Sequence, residues 1–170
     1  MKITKELLCE YFDYNPVTGQ LFWKKATYRR GTCGQEYGSL KNNGYRAGSF
    51  FGKKCYTHQI IWSMHHGPYP KGMVIDHIDR VRSNNLISNL RVTTNALNCA
   101  NSNKHKPNKH GLRGVMMTHY KNTTTPWRAR ISHNGKGVYL GCFDTKEKAA
   151  IAFNNAALSL RGEFAILNEL

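Results

Sequence analysis

The chain has 170 residues, 25 of them Lys or Arg and 10 Asp or Glu, for a net charge of +15, and 40% of its residues are apolar. That length allows one domain or two small ones, and the basic excess without an apolar anchor points to a polyanion partner, nucleic acid above all. Five scattered cysteines with no CxxC pair exclude a four-cysteine zinc ribbon and argue against a secreted disulfide framework, and no apolar run reaches the ~18 residues of a membrane span.

Residues 3–13 read as an amphipathic helix, with Ile3, Leu7, Leu8, Tyr11 and Phe12 on one face and Thr4 as N-cap. Asn15-Pro16 and Thr18-Gly19 mark a turn, and Gln20 to Trp23 a strand. Residues 24–44 form a basic, glycine-rich loop with short strands. Tyr45 to Tyr56 are a hairpin turning at Gly52-Lys53-Lys54. His58 to His66 are helical and stop at Gly67-Pro68. Met73 to Ile75 and Leu90 to Val92 are short strands around a polar turn. Thr93 or Thr94 then caps a helix over Asn95, Leu97, Asn98 and Asn101. Residues 101–111, NSNKHKPNKHG, have the composition of a linker. Beyond them come strands at Gly111 to Met117, Trp127 to Ser132 and Gly137 to Phe143, with Asn134-Gly135 as a hairpin turn. A helix capped by Asp144 or Thr145 follows, with Ala149, Ala150, Ala152, Phe153, Ala156 and Ala157 along it; Gly162 ends it, and residues 164–167 fold back as a cover. The charge excess is shared: residues 1–103 hold 14 basic and 6 acidic side chains, residues 104–170 hold 11 and 4.

The densest chemistry lies in IDHIDRVRSNNLISNLRVTTNALN, residues 75–98. An Asp-His pair ends a strand, and Asn89 and Asn98 follow 12 and 21 residues after His77. Hydrolysis of a phosphodiester needs an activated water and stabilisation of phosphate charge. A neutral imidazole suits the first, and a divalent ion held by hard oxygen ligands suits the second. Asp-His, then NNL, then NLR, then Asn on a helix resembles the HNH nuclease family in its phage and homing form, over roughly residues 45–103. The resemblance implies a ββα-metal core. His77 would be the general base on water, and Asp76 and Asn98 would hold one magnesium or manganese ion. Asn89 would orient the His77 ring or brace the loop. Two neighbouring strand residues point to opposite faces, so Asp76 and His77 share one site only if the chain departs from ideal strand geometry. Asn84, Asn85 and Asn95 read as local structural residues, and Asp79 ranks below Asp76 as a ligand. His58 reads as structural, and His65 and His66 as caps of their helix end. The cysteine pairs of zinc-stabilised relatives are absent, so no structural zinc is expected.

The pattern GLRGV…WRARISHNGKGVYLGCFDTKEKAAIAFNNAALSLRG resembles the Apetala-two (ethylene-response-factor) DNA-binding domain, across nearly all of residues 111–168. That resemblance implies a three-stranded antiparallel sheet packed on one helix, with the sheet in the major groove. Along Trp127 to Ser132, Ala129 and Ile131 face the helix while Arg128 and Arg130 face outward. Arg113, Arg128, Arg130, Lys136 and Tyr139 are the DNA-contact candidates. Met116 and Met117 stand where plant members have other residues, so the plant target does not carry over.

The expected protein is α+β: an HNH domain over 1–103, a basic linker over 104–110 and a DNA-binding domain over 111–170. Its expected activity is metal-dependent cleavage of double-stranded DNA, by a monomer in the cytoplasm of a host cell, neither secreted nor membrane-bound and with no small-molecule substrate. The rival reading is a non-catalytic DNA-binding regulator with a decayed core, which would tend to lose the Asp76, His77, Asn89 and Asn98 set.

Overall fold

The structure is a computed structural model that describes residues 3–27, 31–100, 110–118, 124–133 and 135–170. It is α+β and divides into two compact units, Met1–Asn95 and Ala96–Leu170. The division falls inside a helix, short of the expected boundary at residue 103. Most of the expected linker, residues 104–109, lies outside the described residues, as do Asn101 and Asn134.

The first unit opens with α1 (Lys5–Tyr11), capped by the Thr4 hydroxyl, which accepts from the Leu7 N–H. The helix ends earlier than its apolar face suggests, because Phe12 turns extended and starts β1 (Phe12–Tyr14), paired antiparallel with β2 (Leu21–Trp23). Strands β3 (Ser39–Leu40), β4 (Arg46–Phe50) and β5 (Lys53–Tyr56) form a second antiparallel sheet. The β4–β5 turn is Phe51-Gly52, both at positive φ, rather than Gly52-Lys53-Lys54. Phe51 accepts that conformation because its ring packs edge-on to Tyr11 and Phe50. Helix α2 (Thr57–His66) follows at once and stops at Gly67.

Phe12, Trp23, Tyr37 and Phe50 form the centre of this core, with ring centroids 4.7 to 5.0 Å from Phe12. Each ring is at most 5% exposed, so truncating one would cost about 3–5 kcal/mol. Ile60, Ile61, Ile75 and Leu90 join the same cluster. The last two matter for function: they anchor β6 (Met73–His77) and β7 (Leu90–Thr94), an antiparallel pair whose register places Asp76 opposite Arg91 and His77 opposite Leu90. A single 3₁₀ turn, Ile87–Asn89, leads into β7. Thr93 and Thr94 are the last residues of β7, and α3 (Asn95–Ala100) begins directly after.

In the second unit, β8 (Val115–Met117), β9 (Trp127–His133) and β10 (Lys136–Phe143) form an antiparallel sheet with β9 central. Helix α4 (Lys146–Arg161) packs across it. The Thr145 hydroxyl caps α4 by accepting from Lys148 N–H, and Gly162 ends it. Ala149, Ala150 and Ala157 are fully buried against Val115, Ala129, Ile131 and Phe153, so helix and sheet approach closely. The chain then folds back as expected: Ala165 covers part of this core. Buried Asn168 accepts from Arg113 N–H at 2.6 Å and exchanges two hydrogen bonds with Asn154.

Candidate active site and nucleic-acid interface

Asp76 and His77 are the last two residues of β6, and both are buried, at 7% and 3% exposure. The strand stays regular to its end, so the two side chains take opposite environments. Asp76 Oδ2 accepts from both Nε and Nη2 of Arg91, at 3.1 Å each. This pair is well shielded, with side chains 8% and 11% exposed.

His77 enters a cluster of rings and amides. Its Nε2 lies 3.1 Å from Asn85 Oδ1. An amide oxygen there fixes the neutral tautomer with its proton on Nε2. The His58 ring meets it edge-on at 5.0 Å, and the Tyr45 ring lies 5.8 Å away. Burial holds the His77 pKa below the ordinary histidine value, against the opposing effects of the Asn85 hydrogen bond and the Asp79 and Asp76 charges; Arg82 lowers it further. The imidazole is therefore neutral at neutral pH, the form a base needs. Burial pushes His58 down to about 3, and the nearby His77 adds to the effect. His58 Nδ1 is buried with no hydrogen-bond partner among the described residues.

Asn89 has a different position from the ring-orienting one. Its Oδ1 accepts from Asp79 N–H at 3.0 Å, and its Nδ2 donates to Asp79 Oδ1 and to the Asn84 carbonyl, both at 2.9 Å. It braces the loop after β6, while the ring contact falls to Asn85, which the sequence reading assigned to a local structural role. Asp79 is consumed in the same brace, accepting also from Asn84 Nδ2 and Val81 N–H. Burial pushes its pKa up, but those hydrogen bonds outweigh it and hold the carboxylate below its usual range.

The first hairpin holds Asn85 in place. The Tyr14 hydroxyl accepts from Ile87 N–H at 2.9 Å and donates to the Asn85 carbonyl at 3.5 Å. Gly19, at φ +71°, lies so close to this segment that a Cβ would stand 2.7 Å from Leu86 N. Only glycine satisfies both the left-handed backbone and that approach. On the other side, Arg82 donates to the Asn43 carbonyl at 2.7 Å and lies 4.9 Å over the Tyr45 ring. Tyr45, Arg82 and Arg91 were missed in the sequence. Tyr45 has no local signal, whereas Arg91 follows from pairing the two strands symmetrically about their turn.

Asn98 lies on α3 and belongs to the second unit. Among the described residues no group of three or more His, Cys, Asp or Glu side chains converges. Among the described residues of the first unit, Asp76 is the one buried carboxylate, and its Oδ2 is held by Arg91. That donor set fits a hard cation that draws most of its ligands from phosphate and water, as magnesium does.

On the sheet of the second unit, Arg128 and Arg130 turn away from the helix, alternating with buried Ala129 and Ile131. Tyr139 stands opposite Arg130, and Met116 and Cys142 opposite Arg128. The Arg128 guanidinium lies 5.8 Å over the Tyr139 ring. The Arg130 guanidinium occupies the space a side chain on Gly137 would need. Arg128, Arg130 and Tyr139 thus share one face. Lys136 is exposed at the hairpin end, opposite His133 and outside those rows. Arg113 precedes β8, and its charge together with burial lowers the pKa of Arg161, whose guanidinium donates to the Ser132 carbonyl.

A model of the HNH endonuclease family matches residues 55–99. The chain is 33% identical over 132 residues to an uncharacterized HNH endonuclease, L560, of Acanthamoeba polyphaga mimivirus, covering 77% of this chain and 66% of that protein. It thus spans just under two thirds of that relative. It is 31% identical over 115 residues to Protein 3.8 of Escherichia phage T7, covering 68% of this chain and 92% of the phage protein. The ethylene-responsive transcription factor ERF069 of Arabidopsis thaliana is 31% identical over 99 residues, 58% of this chain and 60% of the plant protein. A structure described as DNA binding and cleavage by the HNH homing endonuclease I-HmuI is similar with a TM-score of 0.38 and 25% identity, covering 54% of this chain and 51% of that one. No helix among the described residues is long and apolar enough to cross a membrane. With its Asp-His strand end, its braced asparagine loop and the family match across them, the chain belongs to the HNH family of endonucleases.

Proposed function

We propose that this endonuclease hydrolyses phosphodiester bonds of double-stranded DNA with His77 as general base and one divalent ion, magnesium or manganese, bound through Asp76 and Asn98. The observation that carries the reading is the buried, neutral His77 with Nε2 engaged by Asn85. The neutral ring takes the proton from the attacking water. Asn85 orients the ring and stabilises the imidazolium that forms, and Tyr14 and Gly19 hold Asn85. Arg91 fixes the orientation of the Asp76 carboxylate, which would be a ligand of the ion. The bound ion would polarise the phosphate and stabilise the leaving 3′ oxygen. Asn89 keeps the loop in shape.

The second unit supplies affinity and part of the target choice. Arg128, Arg130 and Tyr139 form its contact surface, with Arg113 and Lys136 at the margin reaching phosphate. The charge of +15 is the long-range attraction that brings DNA to both units.

The test is cleavage of supercoiled plasmid with magnesium, by wild type and His77→Ala, alongside a gel-shift assay. His77→Ala binds DNA and leaves it intact, and EDTA stops the wild type until magnesium is restored. Cutting by His77→Ala at the wild-type rate, or full activity in chelator, would overturn the assignment.

A further inference from the structure

The loop leaving His77 is tied down by hydrogen bonds, yet it presents apolar side chains to solvent. Ile78 is 44% and Val81 51% exposed. The backbone beneath them is fixed. Arg80 N–H donates to the His77 carbonyl and Asn84 N–H to the Val81 carbonyl. Asp79 accepts from Val81, Asn84 and Asn89. Arg80 is held at φ +67°, a conformation unusual for a residue with a side chain. The brace turns Ile78 and Val81 outward, one and four positions after the base.

Cations surround them. Arg80 is exposed between the two apolar residues, and Arg82 is steered by the Asn43 carbonyl and the Tyr45 ring. Apolar tips flanked by guanidinium groups match a partner whose backbone is anionic and whose interior is apolar. Duplex DNA has both properties, in its phosphates and its stacked bases.

We propose that Ile78 and Val81 form a wedge that enters the minor groove and opens a base step beside the scissile phosphate, so that the enzyme favours sites where that step is deformable or mismatched. The proposal rests on the DNA-endonuclease reading. Arg80 and Arg82 hold the flanking phosphates while the step unstacks. Pyrimidine–purine steps and mismatches unstack most readily and are the preferred substrates.

The experiment uses the full chain and a duplex spanning a cleavage site mapped on plasmid DNA, with 2-aminopurine at the step next to the cut. Binding of His77→Ala protein raises the 2-aminopurine fluorescence. Adding Ile78→Thr and Val81→Thr, which keep β-branching and put a hydroxyl in place of an ethyl and a methyl respectively, abolishes the rise. In the otherwise wild-type enzyme the same pair slows cleavage of the matched duplex by about tenfold or more. A mismatch at the step restores most of that rate. Unchanged fluorescence on binding, or wild-type cleavage of the matched duplex by the Thr pair, would overturn the wedge while leaving the nuclease reading intact. Dimers in sedimentation that the Thr pair abolishes would assign the patch to a second copy instead. If the wild type cuts no DNA, the nuclease reading fails and the wedge falls with it.

Discussion

The Asp76–Arg91 pair separates stability from chemistry. Its side chains are 8% and 11% exposed, and Nε and Nη2 of Arg91 both bond Oδ2. Arg91→Leu leaves a carboxylate buried without its cation. Losing one partner of such a pair costs about 3–5 kcal/mol, because the remaining charge is uncompensated. A small domain has about 5–15 kcal/mol in total. In urea, with a slope of about 1–1.5 kcal/mol/M, the midpoint of the first unit's transition falls by roughly 2–5 M. Asp76→Asn is destabilising for the mirror-image reason. The double variant Asp76→Asn/Arg91→Leu removes both charges, and its cost stays under about 2 kcal/mol. The coupling between the two positions is then at least about 2 kcal/mol. The double variant regains stability and, on the proposed ion-binding role of Asp76, stays inactive. Urea unfolding followed by Trp fluorescence, beside plasmid cleavage, measures both. A cost for Arg91→Leu below about 1 kcal/mol, or single-variant costs that simply add, would refute the reasoning.

Asn85 and Asn89 have distinct signatures. Asn85→Ala frees the His77 ring and lowers kcat by about 10- to 100-fold with little change in KM. Asn89→Ala strips three hydrogen bonds from the loop and costs about 1–3 kcal/mol in unfolding experiments. Identical effects on kcat and stability from both would remove the distinction. His58 makes stability depend on pH: its folded pKa of about 3 lies below the unfolded value of 6.5, so below 6.5 the unfolded chain binds a proton that the folded one refuses. Stability therefore falls as pH drops through that window, by about 2 kcal/mol between pH 7 and pH 5. His77 acts in the same direction, and His58→Phe flattens the slope; an equally steep slope in that variant would count against it. Gly137→Val displaces the Arg130 guanidinium from the sheet face. DNA affinity then falls by about 1–3 kcal/mol, while the β-branched residue leaves the strand intact. Unchanged affinity in a gel shift would mean that Arg130 makes no contact.

Local chemistry is what the sequence by itself determined. The Thr4 and Thr145 caps, the Gly67 and Gly162 stops and the alternation of Trp127 to Ser132 depend on neighbours a few residues away, so they are legible in order along the chain. The Asp-His pair and its asparagines are legible too, since a resemblance in spacing needs no coordinates. Tertiary structure decided which asparagine serves which role. Asn85 and Asn89 look alike in NNLISN. Only the loop's path, clamped by Tyr14 and Gly19 from about 70 residues upstream, turns Asn85 toward the ring and Asn89 toward Asp79. Arg91 is the partner of Asp76 through strand register, and Tyr45, just before β4, and His58 on α2 flank His77 through ring contacts across the fold. A sequence shows which groups can do the chemistry; burial and long-range contact choose among equals, because both depend on residues far apart in the chain.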